Sequence, residues 1–284
     1  MTLVLGTRGS ALARAQAERI AVRLGDDVEL RIVRTHGDDS PRPIRELGDG
    51  SFVTALEDAL RRSEIDVAVH SLKDLPTDDR AGLVVAAIPE REDPRDVLVT
   101  RERGGLATLP PRARVGTGSA RRAAQLRVVR PDLEFADIRG NVDTRLAKVS
   151  RGEYDATVLA LAGLRRLGVA VADAEVLSLG EMLPAPGQGA LAVQCRADDS
   201  RTRALAERID DRDLHDATHA ERELLRLLGG SCDLALGAYA HAADGEIALE
   251  AILVDGGAHR VRLRGVDPIA IARQAARELE ASRV

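Results

Sequence analysis

Hydrophobic positions in the first two thirds of this 284-residue chain recur with periods that alternate between two and about 3.6 residues. The first series predicts a strand, helix, strand, helix and strand, at Leu3–Leu5, Ala11–Leu24, Val28–Val33, Phe52–Arg62 and Asp66–His70. The second series repeats that order at Arg114–Gly116, Ser119–Arg130, Leu133–Ile138, Val142–Arg151 and Ala156–Ala160. Strands that alternate with helices are typical of α/β units, so we expect parallel pairing.

The pattern changes beyond Ser200. A helix, three strands and a last helix are predicted, at Leu214–Leu228, Leu236–Ala240, Ile247–Val254, Val261–Arg264 and Pro268–Glu280. Strands that follow one another without intervening helices favour an α+β arrangement. We therefore predict a separate C-terminal α+β domain.

A short motif opens both α/β series. The segments Gly6–Ala11 and Gly116–Arg121 each lie where a predicted strand leads into a helix. The repeat indicates two similar lobes, although its shortness and a one-residue gap leave coincidence as the alternative. Two such lobes enclose a cleft at the carboxyl ends of their strands, where ligands bind.

Composition argues against several classes of protein. No apolar stretch approaches the ~20 residues of a membrane-spanning helix, and Met1–Arg8 has no basic start followed by an apolar run. We therefore expect a soluble, cytoplasmic protein that does not bind membranes. Two cysteines are too few for a disulfide framework. Nucleic-acid binding is not expected, because base stacking needs aromatic side chains and few are present. Those in the chain are Phe52, Phe135, Tyr154 and Tyr239.

Positive charge is concentrated in one stretch. Between Arg112 and Arg151, ten basic residues face four acidic ones, whereas the whole chain carries a net charge of −5. This distribution favours a local anion site, with a solvated basic face as the alternative. Among 41 basic residues only Lys73 and Lys148 are lysines.

Arginines flank the predicted strand-to-helix junctions. Thr and Ser at the junctions can cap the helices, and the free N–H groups there favour a negatively charged group. The planar guanidinium matches a carboxylate or phosphate with paired hydrogen bonds. A ligand with several acidic groups is therefore expected beside Arg8, Arg121, Arg122, Arg139 and Arg145.

The segment His70–Pro76 follows a predicted buried strand, so its polar side chains should leave the sheet at the ligand edge. Asp74 is the best candidate for chemistry, because a carboxylate among cations stays ionised and can stabilise a developing cation or transfer protons. A turn-capping aspartate paired with Lys73 is the alternative.

The two cysteines are expected to differ. Cys232 follows the pair Gly229-Gly230 on a predicted loop, where a thiol can act as a nucleophile or attachment point. Cys195 ends an apolar run and is expected to be a core thiol.

Together these segments resemble the porphobilinogen deaminase (hydroxymethylbilane synthase) family over nearly the whole chain. The matching motifs are Thr7–Ser10, His70–Pro76, Glu90–Asp96, Gly116–Arg122, Arg139–Val142, Thr144–Leu146, Leu161–Gly168, Pro184–Gly189 and Gly237–Ala240.

The resemblance implies an enzyme of haem and tetrapyrrole synthesis that condenses four porphobilinogen molecules head to tail into hydroxymethylbilane and releases ammonia. It implies a dipyrromethane cofactor, made from the substrate and covalently attached to Cys232. Asp74 matches the catalytic aspartate, which stabilises positively charged pyrrole intermediates and assists proton transfer. The cofactor is expected to contact Lys73, Ser71, Thr117, Ser119, Arg121, Arg122, Arg139 and Arg145. The substrate is expected to contact Arg8, Ser10, Arg139, Arg145, Arg166 and Gln188.

The resemblance also implies a monomer of two periplasmic-binding-protein-like α/β lobes and the small C-terminal α+β domain. The chain would return to the first lobe after Gly189. We therefore predict lobe 1 from residues 1–92 and 190–208, lobe 2 from 96–184, and the C-terminal domain from 212–284.

Two local departures stand out. Gly48–Phe52 places Asp49 where the family's mobile loop carries a lysine, which leaves that loop's contribution to substrate entry open. In Gly230-Ser231-Cys232, a serine replaces the glycine that usually precedes the attachment cysteine.

Two other functions compete. A non-enzymatic, two-lobed anion-binding protein would account for the lobes and arginines, but not for Cys232 or the third domain. A metal hydrolase would use His215 and His219, whose i, i+4 spacing places both on one helix face.

Overall fold

The computed structural model describes residues 2–25, 27–33, 53–78, 80–170, 174–230 and 234–282. The strands in these residues are β1 (Leu3–Thr7), β2 (Val28–Ile32), β3 (Val67–Ser71), β4 (Leu83–Ala87), β5 (Asp96–Thr100), β6 (Arg114–Gly116), β7 (Glu134–Ala136), β8 (Ala156–Ala160), β9 (Glu175–Val176), β10 (Leu191–Arg196), β11 (Leu236–Ala243), β12 (Glu246–Val254) and β13 (Ala258–Gly265). The helices are α1 (Ala11–Leu24), α2 (Thr54–Arg61), α3 (Ala120–Val129), α4 (Val142–Ser150), α5 (Leu161–Arg166), α6 (Ser200–Glu207), α7 (Arg212–Leu227) and α8 (Pro268–Ala281). Among these helices, none has both the length and the apolar character that a membrane crossing requires.

Lobe 1 contains a five-stranded sheet in the order β2-β1-β3-β10-β4. Strand β1 pairs in parallel with β2 and β3, as predicted, whereas β10 runs antiparallel to β3 and β4. The helix predicted to start at Phe52 is described from Thr54, and Phe52 itself lies outside the described residues. Leu5, Ile20, Val67 and Leu191 are fully buried in the core of this lobe.

Lobe 2 has the same strand arrangement, in the order β7-β6-β8-β5-β9. Strand β6 is parallel to β7 and β8, and β5 is antiparallel to β8 and β9. Parallel pairing is therefore confirmed for the predicted strands of both series, whereas β5 and β10, which the pattern did not predict, run antiparallel. Both are the strands by which the chain enters its sheet from the other lobe, so no crossover helix from a neighbouring strand imposes a parallel direction.

The C-terminal domain is an antiparallel sheet, β11-β12-β13, packed against α7 and α8. Its core contains Leu224 from α7, Leu249 and Leu253 from β12, and Leu279 from α8, all buried. The α+β expectation is confirmed. Each of the three sheets takes its strands from a single predicted domain, while the residue limits of those domains stay predictions.

The two motif copies cap equivalent helices. Ser10 Oγ accepts a hydrogen bond from the Ala13 amide at 3.3 Å at the start of α1. Ser119 Oγ accepts one from the Arg122 amide at 3.4 Å at the start of α3. Both helices therefore begin beside the carboxyl end of a strand, where their free N–H groups favour a negatively charged ligand.

Two crossing segments connect the lobes: residues 88–95 lead from lobe 1 to lobe 2, and residues 182–190 lead back. The Leu191 amide donates to the Glu90 carbonyl at 3.1 Å, and the Glu92 amide donates to the Gly189 carbonyl at 3.0 Å. Gly189 has φ of +88°, and a Cβ there would collide with the Glu92 carbonyl oxygen. This close approach of two backbones requires glycine at position 189.

A buried ion pair attaches the C-terminal domain to the crossing segments. Arg91 Nη1 lies 2.7 Å from Glu221 Oε1, and both side chains are almost wholly buried. The Glu221 carboxylate also accepts hydrogen bonds from the Gly187 amide at 2.6 Å and the Ala240 amide at 2.7 Å. Three parts of the fold therefore meet at one carboxylate, where losing one charged partner costs about 3–5 kcal/mol.

Gly189→Ala is expected to lower the free energy of unfolding by about 3 kcal/mol or more, because a strained φ adds to a backbone collision. Gly168→Ala is the matched control, since Gly168 has φ of +65° with open space around its Cβ position. The control should lose only about 1–2 kcal/mol. Urea unfolding measures both, and equal losses in the two variants would contradict the collision.

Candidate functional site

The predicted catalytic segment lies at the carboxyl end of β3. Ser71 ends the strand, and Leu72–Asp74 form a single 3-10 turn. Asp74 is exposed, and its carboxylate makes no hydrogen bond or ion pair with any described residue. Turn capping by Asp74 therefore has no support in the geometry, although the charge of Asp74 acts on the neighbouring Lys73. The carboxylate is available to a ligand.

The Ser71 side chain is already engaged. Its Oγ accepts a hydrogen bond from Gln16 Nε2 of α1 at 2.8 Å. This contact fixes the end of β3 against the first helix of the lobe.

A buried carboxylate that sequence reasoning did not single out organises the lobe 2 side. Asp96, at the start of β5, is wholly buried. Its Oδ2 accepts from Arg121 Nη1 at 2.8 Å, and its Oδ1 accepts from Arg122 Nη2 at 2.8 Å. Burial would raise the pKa of Asp96, but the two guanidinium groups hold that pKa well below its usual range. Asp96 is therefore an ionised partner for two buried arginines.

The two arginines also bond to the backbone of lobe 2. Arg121 donates to the Leu183 carbonyl at 2.7 Å, and Arg122 donates to the Val158 carbonyl at 3.0 Å. The contact of both side chains with a ligand, expected from the sequence, stays a prediction. The structure shows that Asp96 and two main-chain carbonyls already bind the same guanidinium groups.

Gln188 connects this cluster to lobe 1. Its Nε2 donates to Asp96 Oδ1 at 3.0 Å and to the Pro94 carbonyl at 2.6 Å. Its Oε1 accepts a hydrogen bond from Lys73 Nζ at 3.2 Å. A continuous chain of contacts therefore runs from Arg121 and Arg122 through Asp96 and Gln188 to the turn that carries Asp74.

The protonation of the Lys73 side chain depends on the groups around it. Burial lowers the pKa of its ammonium to about 8, with Asp74 opposing this shift and the positive charge of Arg122 adding to it. A carboxylate placed next to Lys73 would favour the protonated form. The lysine thus gains its charge most readily when an acidic ligand is present.

The other predicted lobe 2 residues surround the starts of α3 and α4. Thr117 is buried, and its Oγ1 accepts from the Ser119 amide at 3.1 Å. Arg145 Nε donates to the Gly140 carbonyl at 2.8 Å, and burial together with the charge of Arg122 lowers the Arg145 pKa. Arg139 is exposed and makes no hydrogen bond or ion pair within the described ranges. Arg145 is therefore held by the main chain, whereas Arg139 is available to a ligand.

Arg166 approaches from α5 at the crossing segments. Its side chain is only 3% exposed; Nη2 donates to the Gly189 carbonyl at 2.7 Å and lies 3.4 Å from Glu90 Oε1. Its Nε is buried and has no hydrogen-bond partner among the described residues. Glu90, another residue not singled out from sequence, also accepts from Arg19 Nε at 2.8 Å. A buried donor without a partner is what an acidic ligand would satisfy.

Arg8 lies at the end of β1, partly buried, before the Ser10 cap. Burial lowers the pKa of the nearby His70 imidazole to about 4, and the charge of Arg8 contributes to the lowering. His70 Nε2 lies 3.1 Å from Gln194 Oε1, so His70 is a neutral part of the core rather than a cation for the ligand.

The structure describes one of the two cysteines. Cys195 is fully buried in β10, where burial raises the pKa of its thiol to about 11, and the prediction of a core thiol is confirmed. Cys232 and Ser231 lie outside the described residues, as does the loop with Asp49.

The metal alternative gains nothing from the geometry. His215 Nδ1 lies 3.0 Å from Asp210 Oδ1, and His219 is exposed. Within the residues that the structure describes, no three His, Cys, Asp or Glu side chains are grouped to hold a metal ion.

We expect the Lys73 ammonium to titrate near pH 8 in the protein without bound ligand, because burial lowers its pKa to about 8. Lys148 is the only other lysine, so labelling with ¹³C at lysine Cε gives two signals in an NMR titration. The signal that is absent in Lys73→Arg should titrate near 8, and Lys148→Arg assigns the other. A midpoint near the ordinary value of about 10.4 for the Lys73 signal would contradict the assigned burial.

Residues 3–204 match the family model described as porphobilinogen deaminase, dipyromethane cofactor binding domain. Residues 216–281 match the one described as porphobilinogen deaminase, C-terminal domain. Among solved structures, a probable amino-acid ABC transporter extracellular-binding protein of Bacillus subtilis is similar at a TM-score of 0.46 and 11% identity, over 74% of this chain and 90% of its own.

Curated relatives agree with the family models. Porphobilinogen deaminase of Syntrophobacter fumaroxidans is 46% identical over 89% of this chain and 84% of its own length. Porphobilinogen deaminase 1 of Streptomyces coelicolor is 49% identical over 93% and 83%, and that of Thermus thermophilus 46% identical over 89% and 85%. With both domains matched and nearly half of the residues shared, this chain belongs to the porphobilinogen deaminase family, enzymes of tetrapyrrole synthesis with a dipyrromethane cofactor.

Proposed function

We propose that this enzyme condenses four porphobilinogen molecules head to tail into hydroxymethylbilane, with release of ammonia, on a dipyrromethane primer attached to Cys232. The observation that carries the proposal is the position of Asp74. Its exposed, unpaired carboxylate shares a turn with Lys73, whose ammonium is linked through Gln188 and Asp96 to two arginines of lobe 2.

The described residues suit a group with several acidic arms. The buried Nε of Arg166 has no hydrogen-bond partner among them, and Arg139 is exposed without an ion pair. Both α1 and α3 also begin at strand ends with free N–H groups. We assign the cofactor to Ser71, Lys73, Thr117, Ser119, Arg121, Arg122, Arg139 and Arg145. We assign the substrate to Arg8, Ser10, Arg139, Arg145, Arg166 and Gln188.

When bound, the dipyrromethane supplies the pyrrole carbon at which the product chain grows. The protein's part is to bind and to stabilise charge. Arginine and lysine side chains hold the carboxylates of porphobilinogen, which fixes the orientation of the pyrrole ring. Asp74 faces the positive charge that develops on the substrate as ammonia leaves, and its carboxylate stabilises that charge and can take up a proton.

The proposal includes a monomer that works in the cytoplasm.

Incubation of the purified protein with porphobilinogen is expected to release ammonia and form a linear tetrapyrrole. Intact mass spectrometry should show an adduct equal to two porphobilinogen molecules less two of ammonia. Cys232→Ala should lose the adduct and the activity, whereas Cys195→Ala, the matched control, should keep both. An active protein without any adduct would contradict the attachment, and porphobilinogen binding without ammonia release would favour the anion-binding alternative.

Asp74→Asn is expected to lower kcat by about 10²–10⁴-fold, because the amide cannot stabilise a cation or accept a proton as the carboxylate does. The fold should be retained, since Asp74 is exposed and bonds to no described residue. Asp78→Asn is the matched control, an exposed aspartate four positions further along the chain. Near-normal turnover in Asp74→Asn would remove Asp74 from its assigned role.

A further inference from the structure

Helix α7 of the C-terminal domain bonds directly to the turn that carries Asp74. Arg222 Nη1 donates to the Leu72 carbonyl at 3.1 Å and to the Leu75 carbonyl at 2.8 Å. Its Nη2 donates to the Pro76 carbonyl at 2.7 Å. One guanidinium thus binds three carbonyl oxygens that flank Lys73 and Asp74 on both sides.

Arg222 has no carboxylate partner within ion-pair distance in the part of the chain that the structure describes. Burial lowers the pKa of its guanidinium to about 10, and no acidic side chain offsets that cost. In this respect Arg222 differs from the buried Arg91, Arg121 and Arg122, which pair with acids, and resembles Arg145, which donates to the Gly140 carbonyl. The Arg222 guanidinium therefore serves to fix the position of the Leu72–Pro76 backbone.

The turn needs such a constraint from outside. Within the turn the Leu75 amide donates to the Leu72 carbonyl at 3.2 Å, and the Leu72 amide donates to the Ala190 carbonyl at 3.0 Å. Pro76 has no amide hydrogen to contribute. The three bonds from Arg222 outnumber these backbone bonds, so α7 does much to decide where the turn lies.

The neighbouring residue on α7 acts on the other side of the site. Glu221 accepts the Gly187 amide at 2.6 Å, one residue before Gln188, whose side chain binds Lys73. Two consecutive side chains of α7 thus hold the turn with Asp74 and the crossing segment with Gln188. A helix of a different domain thus adds to the direct contacts that hold these two parts of the site together.

We infer that Arg222 is a positioning residue, which holds the Leu72–Pro76 backbone so that the Asp74 carboxylate faces the reacting substrate. This inference rests on the role proposed above for Asp74. Arg222 itself would contact neither substrate nor cofactor. Its effect would be on the rate of reaction of bound substrate, since misplacement of a catalytic group by about 1 Å can cost about 100-fold.

The test compares Arg222→Ala with Arg226→Ala, the same change one turn further along α7 at an arginine paired with Glu223 near the surface. Holoenzyme of each variant, with cofactor content equalised by intact mass, is assayed with porphobilinogen. We expect Arg222→Ala to lower kcat by about 10- to 100-fold with KM changed less than about threefold. Arg226→Ala should keep the wild-type kcat.

Two further readouts separate positioning from general stability. Amide hydrogen exchange should accelerate at Leu75 in Arg222→Ala, while protection in β3 and β8 stays at wild-type level. Added methylguanidinium should restore part of kcat in Arg222→Ala by occupying the vacated space, and Arg222→Lys, which keeps the charge, should retain more activity than alanine.

A wild-type kcat in the Arg222→Ala holoenzyme would overturn the inference, as would exchange that rises equally across the whole chain. If Arg222→Ala does not fold, Arg222→Lys decides the question by the same measurements. Failure of the proposed function looks different, because the wild-type holoenzyme itself would then release no ammonia. Exchange at Leu75 would still show whether Arg222 holds the turn.

Discussion

The burial of one negative charge among several positive ones is the interaction on which the site depends. Asp96 neutralises part of the charge of Arg121 and Arg122 and accepts the Gln188 amide as well. Removing one member of such a buried set leaves an uncompensated charge, at a cost of about 3–5 kcal/mol. A cleft can hold many cations for an acidic ligand only if the cations deepest in the protein are balanced internally. The exposed and partly exposed cations, such as Arg139 and Lys73, then remain for the ligand.

Arginine bonded to backbone carbonyls is a second recurring device of this molecule. Arg122, Arg145 and Arg222 each donate to main-chain oxygens at strand ends or turns close to the site. The guanidinium has five donors in a rigid plane, so a single side chain can bind several carbonyls at once, which an ammonium on a flexible stem does less well. These arginines therefore hold main-chain segments near the cleft in place, which lysines of the same charge would do less well.

Local periodicity predicts much of this fold, and the limits of that prediction have a physical cause. The helix Ala11–Leu24 and the strand Ala156–Ala160 lie where the pattern places them. Strands β5 and β10 were missed as members of the two sheets. Both strands are short, and their place and direction in the sheets depend on a crossing between lobes that no local pattern encodes.

The same distinction applies to the site. The location of Lys73 and Asp74 at a strand end follows from the sequence, because a buried strand leads directly into polar residues. Glu90 and Asp96 stand in a segment that resembles the family, but neither was given a role, and Arg222 was not singled out, because the sequence does not show which distant group a charged residue will contact. Their roles come from tertiary contacts alone.

The position of β10 has a consequence for how the molecule is assembled. This strand lies between β3 and β4 in the sheet of lobe 1, yet it follows the whole of lobe 2 in the sequence. During synthesis, the sheet of lobe 1 lacks β10 until residues 191–196 have left the ribosome, although its other strands lie within the first 87 residues. Lobe 2, which is continuous in sequence, can close first, so the earliest residues made are among the last to reach their final surroundings.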